Sequence, residues 1–396
     1  MIADTASLSP ESRRSLVTPR FVLVMVAAFA YFMAIGAQLP IVPRYIEGEL
    51  GGSGLEVGVG VGAFAVSAAL LRPWVGRLGD TKGRRLLAVS GSAIVAVSIL
   101  GYGLASSLLI LVAARLLTGV GEAAAFVGLA TAAQDLAPDH RRGEAASYFS
   151  VALYGGLAVG PPIGETLAGH GFWVVWVAAA GSAALAAAIS TALPVGRTFA
   201  EAPDRSFLQP DALWPGVILF LGLIPFTAFV AFGPLFGDEI GLDNVGPVFG
   251  LYAGLVLLIR IFGARLPDRL GWRTGSTLAL CAVATGIWLI AAWGSVASVW
   301  TAAIGLGLGM SLLYPSLFTA VMAAAPEDQR SHAVGTFSVF FDISQGLGAT
   351  MIGAVVSLSS LRGGFGAAGA LAVVGLVASW LLREHIGRRR VALATP

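Results

Sequence analysis

Cysteine, histidine, lysine and charge are all scarce in this chain. One cysteine, Cys281, in 396 residues excludes an internal disulfide and a thiolate-held metal. The four histidines, His140, His170, His332 and His385, stand far apart with no HxxxH spacing, so no metal centre is expected. Lysine occurs once, at Lys82 after Thr81, which leaves no GxxxxGK loop to cradle the phosphates of ATP. Charged residues make up 12% of the chain, against about 25% in soluble domains. In their place stand 57% hydrophobic residues and 52 glycines, for a mean hydropathy of +0.84. Water cannot solvate such a surface, which excludes ordinary soluble folds, disordered chains and nucleic-acid binders.

A membrane-crossing helix needs roughly 20 mostly apolar residues at about 1.5 Å rise each. That ruler finds six spans at 21–42, 55–78, 86–105, 108–133, 146–168 and 172–193. Six more follow at 213–236, 246–266, 274–293, 297–323, 333–358 and 364–382. The longest polar stretch separates the two sets and holds Arg197, Glu201, Pro203, Asp204, Arg205 and Pro210, as a linker does. The expected organisation is a tail at 1–20, a six-helix bundle at 21–193, a linker at 194–212, a second bundle at 213–382 and a basic tail at 383–396. With the amino terminus cytoplasmic, 19 of the 24 Lys and Arg fall on cytoplasmic segments or span ends, and only Arg44 and Arg362 on the other side. The positive-inside rule then places both termini in the cytoplasm. Arg13 and Arg14 superficially resemble a twin-arginine export signal, but the apolar run behind them is too long and lacks a cleavage site. The excess of arginine over lysine, with abundant Ala, Gly and Val, suggests a GC-rich bacterial genome and hence a bacterial inner membrane.

Three separated stretches repeat at one constant offset of 188. Leu70, Arg72, Arg77, Asp80, Gly83 and Arg85 fall on Leu258, Arg260, Arg265, Asp268, Gly271 and Arg273. Gly119 and Gly121 fall on Gly307 and Gly309, and Ala137, Pro138, Arg142, Phe149 and Gly160 on Ala325, Pro326, Arg330, Phe337 and Gly348. An even number of spans per repeat keeps the halves parallel about an axis along the membrane normal, with the substrate site near mid-membrane between them.

The run from Gly76 to Arg85 resembles the loop signature of the major facilitator superfamily, GxxxD(R/K)xGx(R/K)(R/K). Gly76, Asp80, Gly83 and Arg85 match it, and Asp268, Arg269, Gly271 and Arg273 form a second copy. That superfamily is itself the standard instance of the parallel-repeat arrangement, so the twelve-helix all-α membrane fold is what the resemblance implies. Arg115 with Gly119 and Gly121 is similar to the RxxxGxG pattern of the drug:proton antiporter branch, whose arginine is implicated in proton coupling. Gly156, Gly160, Pro161 and Gly164 resemble that branch's GxxxGPxxGG signature, with Glu165 in place of its last glycine. The resemblance implies a monomeric, proton-driven exporter of small amphipathic compounds in a lipid bilayer, powered by the proton gradient and needing no cofactor. Physics also gives these residues structural tasks. Glycines every fourth residue make a close helix-packing seam, and the loop signature either latches one conformation through charge pairs or serves as a basic glycine turn.

Away from the span ends, six charged residues fall inside the spans: Arg72, Arg115, Glu122, Glu165, Arg260 and Asp342. Each costs a few kcal/mol in the bilayer unless it has a partner, a water-filled cavity or a task. Arg72 and Arg260 are duplicated and shallow, which reads as structural. Arg115, Glu122 and Asp342 are not duplicated, since the shift pairs them with Ala303, Met310 and Tyr154. Arg115 and Glu122 lie about 10.5 Å apart along nearly one helix face. Glu122 is therefore expected to carry the proton with Arg115 biasing its charge, Asp342 standing second; a static ion pair or a substrate anchor is the competing reading. Glu165 reads as an interfacial carboxylate. Gln38, Tyr154, Phe226, Phe229, Tyr314, Phe341 and Gln345 are the candidate substrate contacts, although aromatic packing between helices explains such residues as well.

Two alternatives remain at this level. Sugars, siderophores or lipids are other cargoes for the same architecture, in either direction. A membrane-embedded enzyme is the reading from another class, but GxSxG, HExxH and His/Asp clusters are missing, and the GxGxxG at Gly364, Gly366 and Gly369 opens an apolar span with no strand before it.

Overall fold

A computed structural model describes residues 16–138, 141–194, 209–263, 266–324 and 330–394. Every regular element among them is helical. Helix α1 (Pro19–Gln38) starts where Pro19 needs no donor and the Thr18 hydroxyl accepts from Phe21 N–H at 3.2 Å. It stops at Pro40, which has no N–H to continue the ladder. The first span then resumes as α2 (Ile41–Arg44) and a π-helical turn (Tyr45–Glu49), seven residues beyond the expected end at 42, because Tyr45 and Ile46 are buried.

The rest of the first half is α3 (Gly54–Lys82), α4 (Arg84–Tyr102), α5 (Leu108–Asp135), α6 (Arg142–Ala168) and α7 (Phe172–Ser190). Ser53 and Glu56 form a capping box at the start of α3. The second half is α8 (Pro210–Glu239), α9 (Gly246–Phe262), α10 (Leu266–Trp293), α11 (Val296–Ala324), α12 (Arg330–Leu358) and α13 (Leu361–Ala394). Ten helical stretches among the described residues are long and apolar enough to cross a membrane, and α6 and the shorter apolar α9 complete the twelve. The linker expected at 194–212 lies outside the described residues except for its two ends.

The packing repeats as the sequence does. In the first half α1 packs on α6 and α7, α5 on α3 and α4, and α4 on α7. In the second, α8 packs on α12 and α13, α11 on α9 and α10, and α10 on α13. The halves meet chiefly through two equivalent contacts, α3 on α12 and α9 on α6. Glycine permits both. A Cβ on Gly58 or Gly62 of α3 would collide with the carbonyl of Ala349 or Gly346 on α12, and one on Gly246 would lie 2.8 Å from Pro162 Cα on α6. The sites of these contacts, and the bond from Leu55 N–H to Ser357 Oγ at 2.7 Å, lie toward the end of the bundle that carries Arg44. The halves are therefore closed at that end. Leu70, Trp74, Val97, Leu109, Phe262 and Trp380 face outward, as an apolar solvent requires.

Candidate functional site

Charge gathers where α3 meets α12. Arg72 projects from α3 and pairs with Asp342 of α12 at 2.9 Å, across the two halves, and with Glu122 of α5 at 3.4 Å. Its guanidinium carbon stands 5.4 Å from the centroid of the Phe126 ring. Asp342 is buried, and its Oδ2 makes no hydrogen bond among the described residues; the same holds for Arg72 Nε and the Tyr31 hydroxyl. One cation thus serves two carboxylates, and each charge depends on the others.

The contact of α9 with α6 has a different chemistry. Arg260 of α9 lies over the Tyr154 ring of α6 at 4.9 Å, with its Nη2 donating to the Tyr154 hydroxyl at 3.4 Å. Beside it Phe226 and Tyr252 stack with centroids 4.9 Å apart. A cavity of about 460 Å³ opens between α6, α9 and α11, lined by Ser147, Ser150, Ile259, Arg260, Ser311 and Pro315 among others. It spans both halves and lies away from the closed end.

Arg115 stands apart from both groups. Its Nε donates to Gly60 O at 3.0 Å, its Nη2 to Val61 O at 2.6 Å, and its Nη1 to Gln38 Oε1 at 3.1 Å and the Tyr102 hydroxyl at 3.4 Å. The guanidinium also faces Phe64 at 4.7 Å. These bonds tie α5 to α3 and α1. At the closed end Arg44 donates from Nη1 to both oxygens of Glu165 and from Nε and Nη2 to Asp238, each at 2.6 Å, so that the first half is pinned to α8 of the second.

The chain matches the Major Facilitator Superfamily over residues 24–349 and again over residues 275–395. It belongs to the major facilitator superfamily. Over 385 residues it is 31% identical to an uncharacterized MFS-type transporter of Salmonella typhimurium, covering 91% of this chain and 96% of that one. Over 389 residues it is 26% identical to YhhS of Escherichia coli, also an uncharacterized MFS-type transporter, covering 92% and 93%. A bacterial homolog to the human lysosomal transporter Spinster shares the fold with a TM-score of 0.75 at 16% identity, covering 92% and 96% of the two chains. So does the nucleoside transporter NupG, with a TM-score of 0.75 at 14% identity, covering 92% and 99%. The chain is a multi-pass membrane transporter of the secondary type and not an enzyme.

Within this superfamily fold the residues singled out from the sequence divide. Glu122 and Asp342 come together, but the cation between them is Arg72 and not Arg115. Arg115 and Glu122 share a helix face, yet Arg115 spends its donors on α3 and α1. Arg72 is duplicated in sequence but not in surroundings. Glu165 stands at the Arg44 end of the bundle, buried against that arginine. Among the candidate contacts, Tyr154, Phe226, Tyr314, Phe341 and Gln345 are half-buried near the meeting of the halves, with Gln345 accepting from Thr227 at 3.2 Å. Gln38 is taken up by Arg115, and Phe229 is packed into the core against Phe249.

The family motifs act locally as packing. Gly119 gives α5 its approach to Phe64 of α3, and Gly121 its approach to Gly91 of α4. Gly156, Gly160 and Gly164, with Pro161 between them, form the seam of α6 against Phe29, Met33 and Ala37 of α1. In the loop signature Gly83 and Gly271 both have positive φ, 93° and 70°, the conformation that favours glycine. Gly76 faces open space, and Arg85, Arg269 and Arg273 are exposed. The side chains of Asp80 and Asp268 lie outside the described residues. At that end Glu144 is held by Arg141 through two 2.8 Å bonds, which pull its carboxyl below the usual range.

Proposed function

We propose that this transporter couples proton movement to the passage of small amphipathic compounds, which it exports. The observation that carries the reading is the cluster of Arg72, Glu122 and Asp342. It holds one positive and two negative charges, so a single proton makes it neutral. Because Asp342 belongs to the second half and Arg72 to the first, a proton on Asp342 weakens a bond that holds the halves together. Loading and releasing that proton on opposite sides of the membrane would then be linked to the rocking of the halves. The half-buried aromatics beside the cluster suit apolar bodies with a few polar groups. Export is the direction implied by the resemblance of α6 to the antiporter signature, and the basic residues on the segments beside the cavity support an opening to the cytoplasm.

The test is transport into inverted membrane vesicles with an imposed proton gradient. Gradient-dependent accumulation is expected for the intact protein and a loss of at least tenfold for Asp342→Asn. Glu122→Gln is expected to shift the pH profile of transport. Intact transport with unchanged pH dependence in both variants sinks the reading.

A further inference from the structure

The shift of 188 that carries Arg72 onto Arg260 also carries Tyr154 onto Asp342. The Arg72–Asp342 contact and the Arg260–Tyr154 contact are therefore the same contact made twice, once on each side of the interface between the halves. On one side the guanidinium meets a carboxylate at 2.9 Å and reaches Glu122 as well. On the other it meets a phenol ring, and the residue equivalent to Glu122 is Met310. The second arginine thus lacks both of the acids that serve the first.

Arg260 makes no ion pair among the described residues, and its buried Nε makes no hydrogen bond there. The Tyr154 ring face and one 3.4 Å bond compensate the half-buried guanidinium only in part. Arg260 lines the cavity between α6, α9 and α11, where Ser150 and Ser311 add hydroxyls. The acidic side chain that lines the same cavity, Glu144, is already held by Arg141 through both oxygens. Tyr252 and Tyr314 stand within electrostatic reach of Arg260, and neither is an acid that could neutralise it.

We propose that Arg260 is the anion-binding end of the substrate site, and that the cargo is an amphipathic organic anion whose carboxylate or sulfonate pairs with the guanidinium while its apolar body lies along the aromatic wall. This rests on the reading of the inter-half cavity as the transport path but not on proton coupling. The guanidinium fork matches a planar or tetrahedral oxyanion through two donors. An organic cation of equal size would meet a like charge there.

Two permanently charged probes of matched shape test it: naphthalene-2-sulfonate and 2-naphthyltrimethylammonium, titrated calorimetrically into the detergent-purified protein. The intact protein is expected to bind the sulfonate saturably and the ammonium at least tenfold more weakly. Arg260→Gln should weaken the sulfonate tenfold or more, and Arg260→Lys by less. Tyr154→Asp, which rebuilds at the second arginine the ion pair of the first, should weaken it as much as Arg260→Gln. Elution volume and melting temperature report whether each variant folds, and the probe preference of the intact protein needs no variant at all. Preference for the ammonium, no binding of the sulfonate, or equal binding by a folded Arg260→Gln protein overturns the proposal. Arg260-dependent binding without any response to a proton gradient in vesicles would instead leave the anion site standing and remove the proton coupling.

Discussion

Arg72 and Arg115 are the same side chain in the same half of the protein, and their surroundings give them opposite tasks. Arg115 donates to two carbonyls, an amide oxygen and a phenol, with no carboxylate among them, so it works as a staple between helices. Arg72 faces two carboxylates, of which Asp342 alone belongs to the other half, so its ion pair across the halves depends on the charge of that group. Arg72→Gln leaves the buried Asp342 and the half-buried Glu122 without a cation and is expected to cost about 3–5 kcal/mol. Adding Asp342→Asn removes one orphaned acid, so the double variant should melt at a higher temperature than Arg72→Gln alone. A double variant no more stable than the single one would show that the pair carries no such weight. The identities of the buried acids were legible in the sequence, since they are ionisable residues in apolar spans. Their shared partner was not, because Arg72 stands 50 residues before Glu122 and a helix face says nothing of the neighbouring helix. The information lay in the repeat all the same, in the pair of positions 72 and 342 taken together and not in Arg72 by itself.

Helices meet here by way of missing side chains. Gly54, Gly58 and Gly62 place α3 against α12 with backbone almost touching backbone, and the same device brings α6 onto α1. A valine at position 62 has to displace the Gly346 backbone. With nitroxide labels on Gly48→Cys and Asp243→Cys in a Cys281→Ser background, Gly62→Val is expected to lengthen the distance across the Arg44 end by several ångströms. An unchanged distance distribution would mean that α3 and α12 do not set the closure. At this scale hydropathy located a helix at each of the twelve expected places, and the glycine spacing of α6 announced its seam. It misjudged ends. The first span runs on past Pro40 because a proline breaks a ladder without preventing a new turn behind it, and α13 continues to Ala394 through charged residues that no apolar window includes.

The molecule as a whole is held shut at one end by α3 on α12, by α9 on α6, and by Arg44 joined to Glu165 and Asp238. The Glu165 arm is buried and lies within the first half, whereas the Asp238 arm is half-exposed and crosses to the second. Arg44→Ala cuts both and should favour opening of this end by about 1–2 kcal/mol, seen with the same pair of labels as a larger long-distance population. Glu165→Gln keeps the Asp238 arm and should move the population less; an equal or larger shift would show that the crossing arm is not the lock. Two halves that share one fold are in this way distinguished by a few side chains at equivalent places, acid at 342 and phenol at 154. Aspartate and tyrosine codons differ by a single base. One point mutation is therefore enough to give Arg260 the carboxylate partner that Arg72 already has, without rebuilding a helix.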